Sequence, residues 1–162
     1  KGGRRCMADI GKLYEQNAQA VYRYIRSRGF DEDTAADLMQ ETFLAAWRQQ
    51  HRFAGASRPL TWLIGIARHK LADETRRRER ERAQPVPAGE SAEDFADAAD
   101  SRILLESAMA SLSPEQRELL TLVLVVGLTY AEAAAVLEVA EGTVKSRMSR
   151  IRAALREQME GA

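Results

Sequence analysis

The fold of the C-terminal half is decided by residues 128–159, LTYAEAAAVLEVAEGTVKSRMSRIRAALREQM. A capping box opens this stretch, because Glu132 follows Thr129 by three positions and each side chain can pair with the other residue's backbone N–H. The helix predicted from Tyr130 to Leu137 is too short to be stable alone, so it must pack on both of its neighbours. A tight turn and a longer helix, Glu141 to Met159, come next. The pattern predicts a helix-turn-helix.

The longer helix of this pair has two opposed faces. Its apolar residues are spaced four, three and four positions apart and form one stripe that we expect to be buried: Val144, Met148, Ile151 and Leu155. The opposite side is small in the middle and cationic at its edges, with Ser146, Ser149 and Ala153 flanked by Lys145, Arg150 and Arg156. Small residues let a helix enter the major groove of DNA, while Arg and Lys reach base edges or phosphates. This face therefore predicts contact with duplex DNA.

The alternative is an ordinary solvated basic face. Such a face would gain from i,i+4 pairs with Glu, and no acidic residue occurs from Thr143 to Arg156. The 24 basic and 24 acidic residues of the chain cancel, but they are segregated. Residues 68–82 hold seven basic and four acidic residues, 83–100 hold none and five, and 143–156 hold five and none. Two basic blocks around an acidic one suggest two polyanion-binding modules.

The rest of the chain is also predicted to be helical, since only 6% of its residues are aromatic and Ala, Leu, Arg and Glu dominate. Apolar periodicity and capping residues predict five further helices: Ile10 to Arg28, Thr34 to Gln50, Leu60 to Arg82, Arg102 to Ala110 and Pro114 to Val126. Met39, Phe43, Ala46 and Trp47 are the apolar residues of the second of these. The fold class is therefore all-α, as two small helical bundles joined by an acidic flexible linker at residues 84–100.

Composition excludes several classes of protein. Cys6 is the sole cysteine, so the chain has no internal disulfide and no thiolate-rich zinc site, and a reducing compartment suits it. The longest apolar run, residues 119–128, is about half of what spans a bilayer, and we expect no membrane insertion. Residues 1–9 are interpreted as a tag remnant or N-terminal arm, with Met7 as a candidate native start.

Four segments together resemble the extracytoplasmic-function (ECF) group of sigma-70 type bacterial RNA polymerase sigma factors. Residues 128–132, LTYAE, and 141–147, EGTVKSR, are similar to the promoter-reading domain four of that family. Residues 37–43, DLMQETF, look like the domain-two helix that docks on the polymerase clamp, and 61–68, TWLIGIAR, look like its promoter-melting helix. The resemblance covers about residues 10–159 in the family's order. It implies sigma region 2 at residues 10–83, a linker at 84–100 and sigma region 4 at 101–162.

The resemblance assigns roles to the basic helix. The positions that read the upstream, minus 35, promoter element are Lys145, Ser146, Ser149 and Arg150, and the helical wheel selects the same four. Phosphate contact is expected for Thr143, Arg147, Arg152 and Arg156. The turn departs from the family pattern, with Glu138 in place of Gly and Ala140 in place of a capping Ser or Pro. We expect slight strain and weaker capping there, partly offset by Glu141 through the helix dipole.

An acidic face is expected on the second helix. Asp37 and Glu41 are four residues apart, which suits a catalytic or metal-binding pair or merely a solvated face, and no histidine shares their register. The resemblance implies a third role, in which Asp37, Gln40 and Glu41 dock on the polymerase clamp.

The loop after this helix places small residues between an aromatic and a cation, which suits capture of an unstacked base. By resemblance it holds a flipped base of the minus 10 element, using Phe53, Ala54, Gly55, Ser57, Arg58 and Trp62, although core packing is the favoured interpretation for Trp62. His69, Arg76 and Arg77 would follow the melted strand. The alternative for the basic run 76–82 is a solvated helix with internal pairs such as Glu74 with Arg78.

No metal or cofactor is expected. His69 and Asp73 could form half a metal site, but His51 is the only other histidine and no thiol cluster exists. The resemblance implies an initiation factor without catalysis, whose partners are core RNA polymerase (beta-prime clamp and beta flap), promoter DNA as duplex and melted strand, and an anti-sigma factor. It implies a cytoplasmic protein, held at the inner membrane where the anti-sigma factor is anchored. The alternatives are a free-standing transcriptional regulator and a helical enzyme using Asp37, Glu41 or His69.

Overall fold

A computed structural model describes residues 10–53, 55, 57–82, 109 and 111–160 of the chain. The chain separates into two compact units, residues 1–90 and 91–162. Every regular element among the described residues is helical, which confirms the all-α fold class. The predicted arm at 1–9, the linker at 84–100 and all of the predicted helix from Arg102 to Ala110 except Met109 lie outside the described residues.

The first unit is a bundle of three helices, α1 (Ile10–Arg26), α2 (Glu32–Gln49) and α3 (Pro59–Arg82), in which each helix packs on the other two. A short 3-10 turn, Gln50–Arg52, follows α2. The core is apolar and fully buried at its centre, where it contains Val21, Tyr24, Ile25, Ala46, Leu63, Ile64 and Ala67. Burial of these side chains supplies most of the stabilising free energy of the bundle.

Two local features fix the junction between α1 and α2. Gly29 adopts a φ of 83°, a conformation that favours glycine, and α1 ends at Arg26 rather than at the predicted Arg28. Asp31 is the N-cap of α2, and its carboxylate accepts hydrogen bonds from the backbone N–H of Thr34 at 2.9 Å and from the Thr34 hydroxyl at 2.8 Å. Because of this cap, α2 begins two residues before its predicted start.

One residue that was expected on the apolar side of α2 lies elsewhere. The Trp47 side chain is 53% exposed, so its inclusion with Met39, Phe43 and Ala46 was wrong. Ala46 and Phe43 are buried and Met39 is half-buried, as expected. The buried residues of α2 are Ala35, Leu38, Thr42, Phe43 and Ala46, and Trp47 lies outside the stripe that they form.

The second unit contains α4 (Pro114–Leu120), a π-helical turn (Thr121–Val125), α5 (Tyr130–Leu137) and α6 (Glu141–Glu160). The single helix predicted from Pro114 to Val126 is thus an α-helix continued by a wider turn. Two capping boxes are present, Ser113 with Gln116 before α4 and the predicted pair of Thr129 with Glu132 before α5. Gly127, at a φ of 77°, follows the π-helical turn in a conformation that favours glycine.

The turn between α5 and α6 carries the expected strain. Glu138 has a φ of 57°, and it is the only residue other than glycine with a positive φ in the described parts of the chain. The backbone N–H of Val139 reaches back to the carbonyl of Ala134 at 3.0 Å, which closes α5 with a Schellman-type bond. A side chain in this left-handed conformation costs about 1 kcal/mol relative to glycine. The bond and the packing of α5 on α6 maintain the turn.

Candidate nucleic-acid interface

Helix α6 presents a sharply divided surface. Val144, Met148 and Ile151 are at most 1% exposed and fix one side of the helix against the core of the second unit, while Leu155 is half-buried. The opposite side is exposed at every position where bases would be read: Lys145, Ser146, Ser149 and Arg150. Gly142 and Ala153 are exposed as well, so the centre of this surface has little side-chain bulk. Its shape allows close approach to a groove floor.

Ser146 has a defined hydrogen-bond polarity. Its hydroxyl donates to the backbone carbonyl of Thr143 at 3.0 Å. A serine hydroxyl has one proton, so only the lone pairs of Ser146 are left to face outward. In this rotamer the residue accepts hydrogen bonds from a ligand and does not donate them.

Lys145 is paired within its own helix. Its Nζ lies 2.8 Å from Oε1 of Glu141, one turn earlier. The hydrogen bond from the ammonium to this carboxylate raises the pKa of Lys145. Glu141 was expected to act only on the helix dipole, so its contact with Lys145 was missed. The four-residue spacing of Glu and Lys was the signal that could have found it.

The flank of α6 is connected to α5 by an aromatic contact. Arg152 donates a hydrogen bond to the hydroxyl of Tyr130, and its guanidinium carbon lies 6.0 Å from the centroid of that ring. Tyr130 is the first residue of α5, so the contact places a cation beside the N-terminus of that helix. Arg156 is exposed, whereas Thr143 and Arg147 are half-buried at the edge of the packed face. Tyr130 was not among the expected site residues, and the structure places it beside Arg152.

Phe53, at the start of the loop before α3, packs on Trp62 in the first turn of α3. The ring centroids of Phe53 and Trp62 are 5.1 Å apart with an interplanar angle of 44°. Both side chains are half-buried, so Trp62 packs on Phe53 at the edge of the bundle and is not a core residue. Gly55 has a φ of 70° and is exposed, as are Ser57 and Arg58, while Ala54 lies outside the described residues.

The basic end of α3 is held by carboxylates. Arg77 binds Glu74 through two hydrogen bonds of 2.8 Å and lies 3.2 Å from Glu81, while Arg76 lies 2.7 Å from Asp73. The hydrogen bond from Arg77 is the main cause of the lowered pKa of Glu74, a buried carboxyl. Internal pairing was the alternative for this run, and it is present. His69 is exposed on the preceding turns of the helix.

Arg78 connects the same end of α3 to α2. It donates to Glu74 at 2.9 Å and to the hydroxyl of Thr34 at 2.9 Å, and it lies 3.4 Å from the carboxylate of Asp31. Its guanidinium also lies 4.7 Å from the centroid of the Phe30 ring. The hydrogen bonds from Thr34, with a smaller contribution from Arg78, lower the pKa of Asp31 to about 2.

The outer surface of α2 combines carboxylates with apolar side chains. Asp37, Gln40 and Glu41 are all exposed, as the docking role requires. Leu44 is 51% exposed and follows Gln40 by four residues and Glu41 by three, so it lies on the same face. Trp47, 53% exposed, is one turn further on. We call the five residues the α2 face. Trp47 was missed because it was assigned to the apolar stripe of α2, and Leu44 was given no role.

Glu41 also borders a groove between α2 and α3. Its carboxylate lies 3.4 Å from Nζ of Lys70, and both residues line a groove of ≈ 480 Å³ with charged side chains of both signs. No cluster of three metal-binding side chains exists within the described residues, which include His69 and Asp73. Among the described helices, none is long and apolar enough to cross a membrane.

Comparison with known proteins finds two family models that match in succession. The model of sigma-70 region 2 matches residues 13–81, and the model of sigma-70 region 4 matches residues 102–155. The ECF RNA polymerase sigma factor SigC of Mycobacterium tuberculosis is 37% identical over 163 residues, which cover 96% of this chain and 84% of that protein.

Two solved structures are similar along almost the whole chain. The sigma factor RpoE in complex with the anti-sigma factor NepR, from Bartonella quintana, matches with a TM-score of 0.74 and 29% identity over 95% of this chain and 98% of that one. CnrH in complex with the cytosolic domain of CnrY matches with a TM-score of 0.67 and 28% identity over 94% and 88% of the two chains.

Proposed function

This chain belongs to the ECF group of sigma-70 type RNA polymerase sigma factors. We propose that each of its exposed surfaces has a separate role in promoter-specific initiation. The exposed side of α6 reads the upstream promoter element, the loop before α3 and α3 itself engage the downstream element, and the α2 face docks on core polymerase. The chain is a transcription initiation factor, and we assign it no catalysis of its own.

The observation that carries the proposal is the division of α6. Three buried apolar residues orient the helix, and the side they leave outward is small in the middle with Lys145 and Arg150 at its edges. Lys and Arg can donate to guanine O6 and N7, while the outward lone pairs of Ser146 suit an amino group of cytosine or adenine. Ser149 adds a second small polar group. These four residues form the base-reading set.

Phosphate contacts surround the base-reading set. We assign them to Thr143, Arg147, Arg152 and Arg156, with Tyr130 orienting Arg152 through its hydroxyl. Cations on the flank of a groove-binding helix fix its register on the duplex but carry no sequence information. They set the affinity and its dependence on salt.

We assign recognition of the downstream promoter element to the first unit. We assign base capture to the loop residues Phe53, Ala54, Gly55, Ser57 and Arg58 together with Trp62 of α3, and contact with the melted strand to His69, Arg76 and Arg77. The aromatic pair of Phe53 and Trp62 offers a stacking surface at the edge of the bundle. Arg76 and Arg77 are already paired with Asp73 and Glu74, so each must exchange a carboxylate for a phosphate. We therefore expect a small contribution from these two residues.

Core polymerase docks on the α2 face through Asp37, Gln40 and Glu41 together with Leu44 and Trp47. Protein interfaces commonly have an apolar centre with a polar rim. The two exposed apolar residues make a solvated-face interpretation of the carboxylates unsatisfactory, because a purely solvated face needs no exposed indole. The beta-prime clamp is the proposed partner of this face, and the beta flap is the proposed partner of the second unit.

An anti-sigma factor is the proposed regulator. RpoE and CnrH were solved with NepR and CnrY respectively, and this chain is similar to both along most of its length. A partner of that kind would cover the promoter-reading surfaces and keep the chain inactive. We place the protein in the cytoplasm, where core polymerase and promoters are found, with retention at the inner membrane if its anti-sigma partner is anchored there.

Copurification with core RNA polymerase followed by run-off transcription tests the proposal. A sigma factor binds core and directs specific initiation. A free-standing regulator binds specific DNA without core, and a helical enzyme does neither. If the purified chain neither binds core nor changes where transcription starts, the assignment of these surfaces is wrong.

A further inference from the structure

We infer that Glu141 is a positioning residue of the DNA-reading surface, which holds the ammonium of Lys145 over the first turn of α6 and so sets the base preference of that lysine. The inference rests on the proposed role of α6 in reading the upstream element. It extends that role, because Glu141 is outside the set of residues assigned to bases or phosphates.

The geometry of the pair fixes where the lysine charge lies. Nζ of Lys145 and Oε1 of Glu141 are 2.8 Å apart, and Glu141 is the first residue of the helix. A Glu four residues before a Lys is the favoured order for an ion pair on a helix. The pair therefore draws the ammonium toward the N-terminal end of α6. In a helix-turn-helix, that end of the recognition helix contacts base edges.

The pair also limits what the ammonium can bind. A lysine has three N–H donors and no acceptor, and the carboxylate of Glu141 takes one of them. Two donors remain for acceptors in the groove, where guanine presents O6 and N7. Without Glu141 the flexible four-carbon stem can swing to nearby phosphates, which carry no sequence information.

Loss of the ion pair between Glu141 and Lys145 should have only a small effect on folding. Both side chains are largely exposed, at 61% for Lys145 and 46% for Glu141, and exposed ion pairs contribute little to stability. Loss of the carboxylate therefore redirects the ammonium and leaves the helix in place. A change in sequence preference without a change in folding distinguishes this role from a structural one.

Transcription by the full chain with core RNA polymerase tests the inference, using templates randomised over the upstream element and sequencing of the transcripts. Glu141→Gln keeps the shape of the side chain and removes its charge. We expect it to lower base preference at one or two adjacent base pairs by about 1.4-fold to twofold, the scale of an i,i+4 ion pair, and to leave other positions unchanged. Glu160→Gln is the matched control, because it removes the same charge roughly 28 Å away at the other end of α6 and should leave the profile unaltered.

A second background shows whether Glu141 acts through the lysine. In a Lys145→Met chain, Glu141→Gln should cause no further change. An equal shift in that background, an equal shift from Glu160→Gln, or a Glu141→Gln profile identical to that of the original chain would each overturn the inference. A different result, in which the original chain shows no upstream preference at all, would contradict the proposed function of α6.

Discussion

Arg78 on α3 donates a hydrogen bond of 2.9 Å to the hydroxyl of Thr34 on α2, across 44 positions of the sequence. The same guanidinium binds Glu74 on its own helix and lies over the ring of Phe30. Part of the basic run of α3 therefore stabilises the bundle, and a count of its positive charges overstates what is available for nucleic acid.

Replacing Arg78 tests this structural role. Arg78→Ala should lower the free energy of unfolding of the first unit by about 1–2 kcal/mol, because it removes hydrogen bonds to a buried carboxylate and to the cap of α2. Arg80→Ala, an exposed neighbour, should change it by less than about 0.5 kcal/mol. Both tryptophans of the chain, Trp47 and Trp62, lie in this unit, so urea titration followed by tryptophan fluorescence reports on it selectively. Equal stability of the two variants would show that the network is incidental.

Acid should destabilise the first unit through two carboxyls. Folding lowers the pKa of Asp31 from 3.8 to about 2 and lowers that of Glu74 from 4.5. The folded state then binds fewer protons than the unfolded state in this range, so their stabilising contribution is complete above about pH 4.5 and declines as the pH falls toward 2.

Asp31→Asn is the matched variant for the pH dependence, because its side-chain oxygen can still accept the N–H of Thr34 but does not titrate. We expect a shallower loss of stability below pH 4 in this variant, measured by urea unfolding at a series of pH values. A slope identical to that of the original chain would remove Asp31 from the explanation.

Two arginines of α6 should have different effects on DNA recognition. Arg150→Ala should change which upstream sequences are used, because Arg150 belongs to the base-reading set. Arg156→Ala should weaken binding evenly across sequences and reduce the salt dependence by about one phosphate contact. Holoenzyme binding to promoter duplexes of varied upstream sequence, at several salt concentrations, separates the two. An even loss in both variants would show that Arg150 contacts phosphate.

Ser146 should select a base that carries an amino group, since its only proton is already donated to Thr143. Ser146→Ala should therefore reduce discrimination at one base pair by about 1 kcal/mol, roughly fivefold, without changing affinity for unrelated duplexes. The same randomised promoter templates provide the measurement. If Ser146→Ala instead weakens binding to every sequence, the hydroxyl contacts the DNA backbone and does not read a base.

The α2 face should bind core polymerase through apolar as well as acidic residues. Leu44→Ala should weaken core binding by about tenfold without lowering stability, since its side chain is more than half exposed. The double variant Asp37→Ala, Glu41→Ala should also weaken core binding while the second unit stays folded. Glu32→Gln, which changes an exposed carboxylate of the same helix away from the α2 face, is the control. Unchanged core affinity in the first two variants would show that these residues form a solvated face that does not bind core polymerase.

Local signals in the sequence were sufficient to predict much of the structure of the second unit. The caps at Ser113 and Thr129 and the four-three-four spacing in α6 depend on residues within one or two turns, so their pattern determines them directly. The strain at Glu138, which has a left-handed conformation, was instead expected from the resemblance, because the family carries Gly at that position of the turn.

Contacts between helices were beyond such local patterns. The exposure of Trp47 depends on how far the neighbouring helices cover α2, and the pairing of Arg152 with Tyr130 depends on how α5 crosses α6. Apolar periodicity identifies an apolar stripe on a helix, but it does not show how much of that stripe a neighbouring helix buries. For a related reason the sequence did not determine which carboxylate Arg77 binds, since several carboxylates lie about one helical turn from it.

We propose, as the main function of the chain, recognition of two promoter elements by its two units for core polymerase. Its most direct test is transcription by core RNA polymerase, with and without the full chain, from templates randomised across the promoter region, with sequencing of every template that yields a transcript. We expect transcripts to depend on the chain and their templates to share two short motifs at a constant spacing, the upstream one altered by Arg150→Ala. Transcripts that do not depend on the chain, or templates without a shared upstream motif, would contradict it.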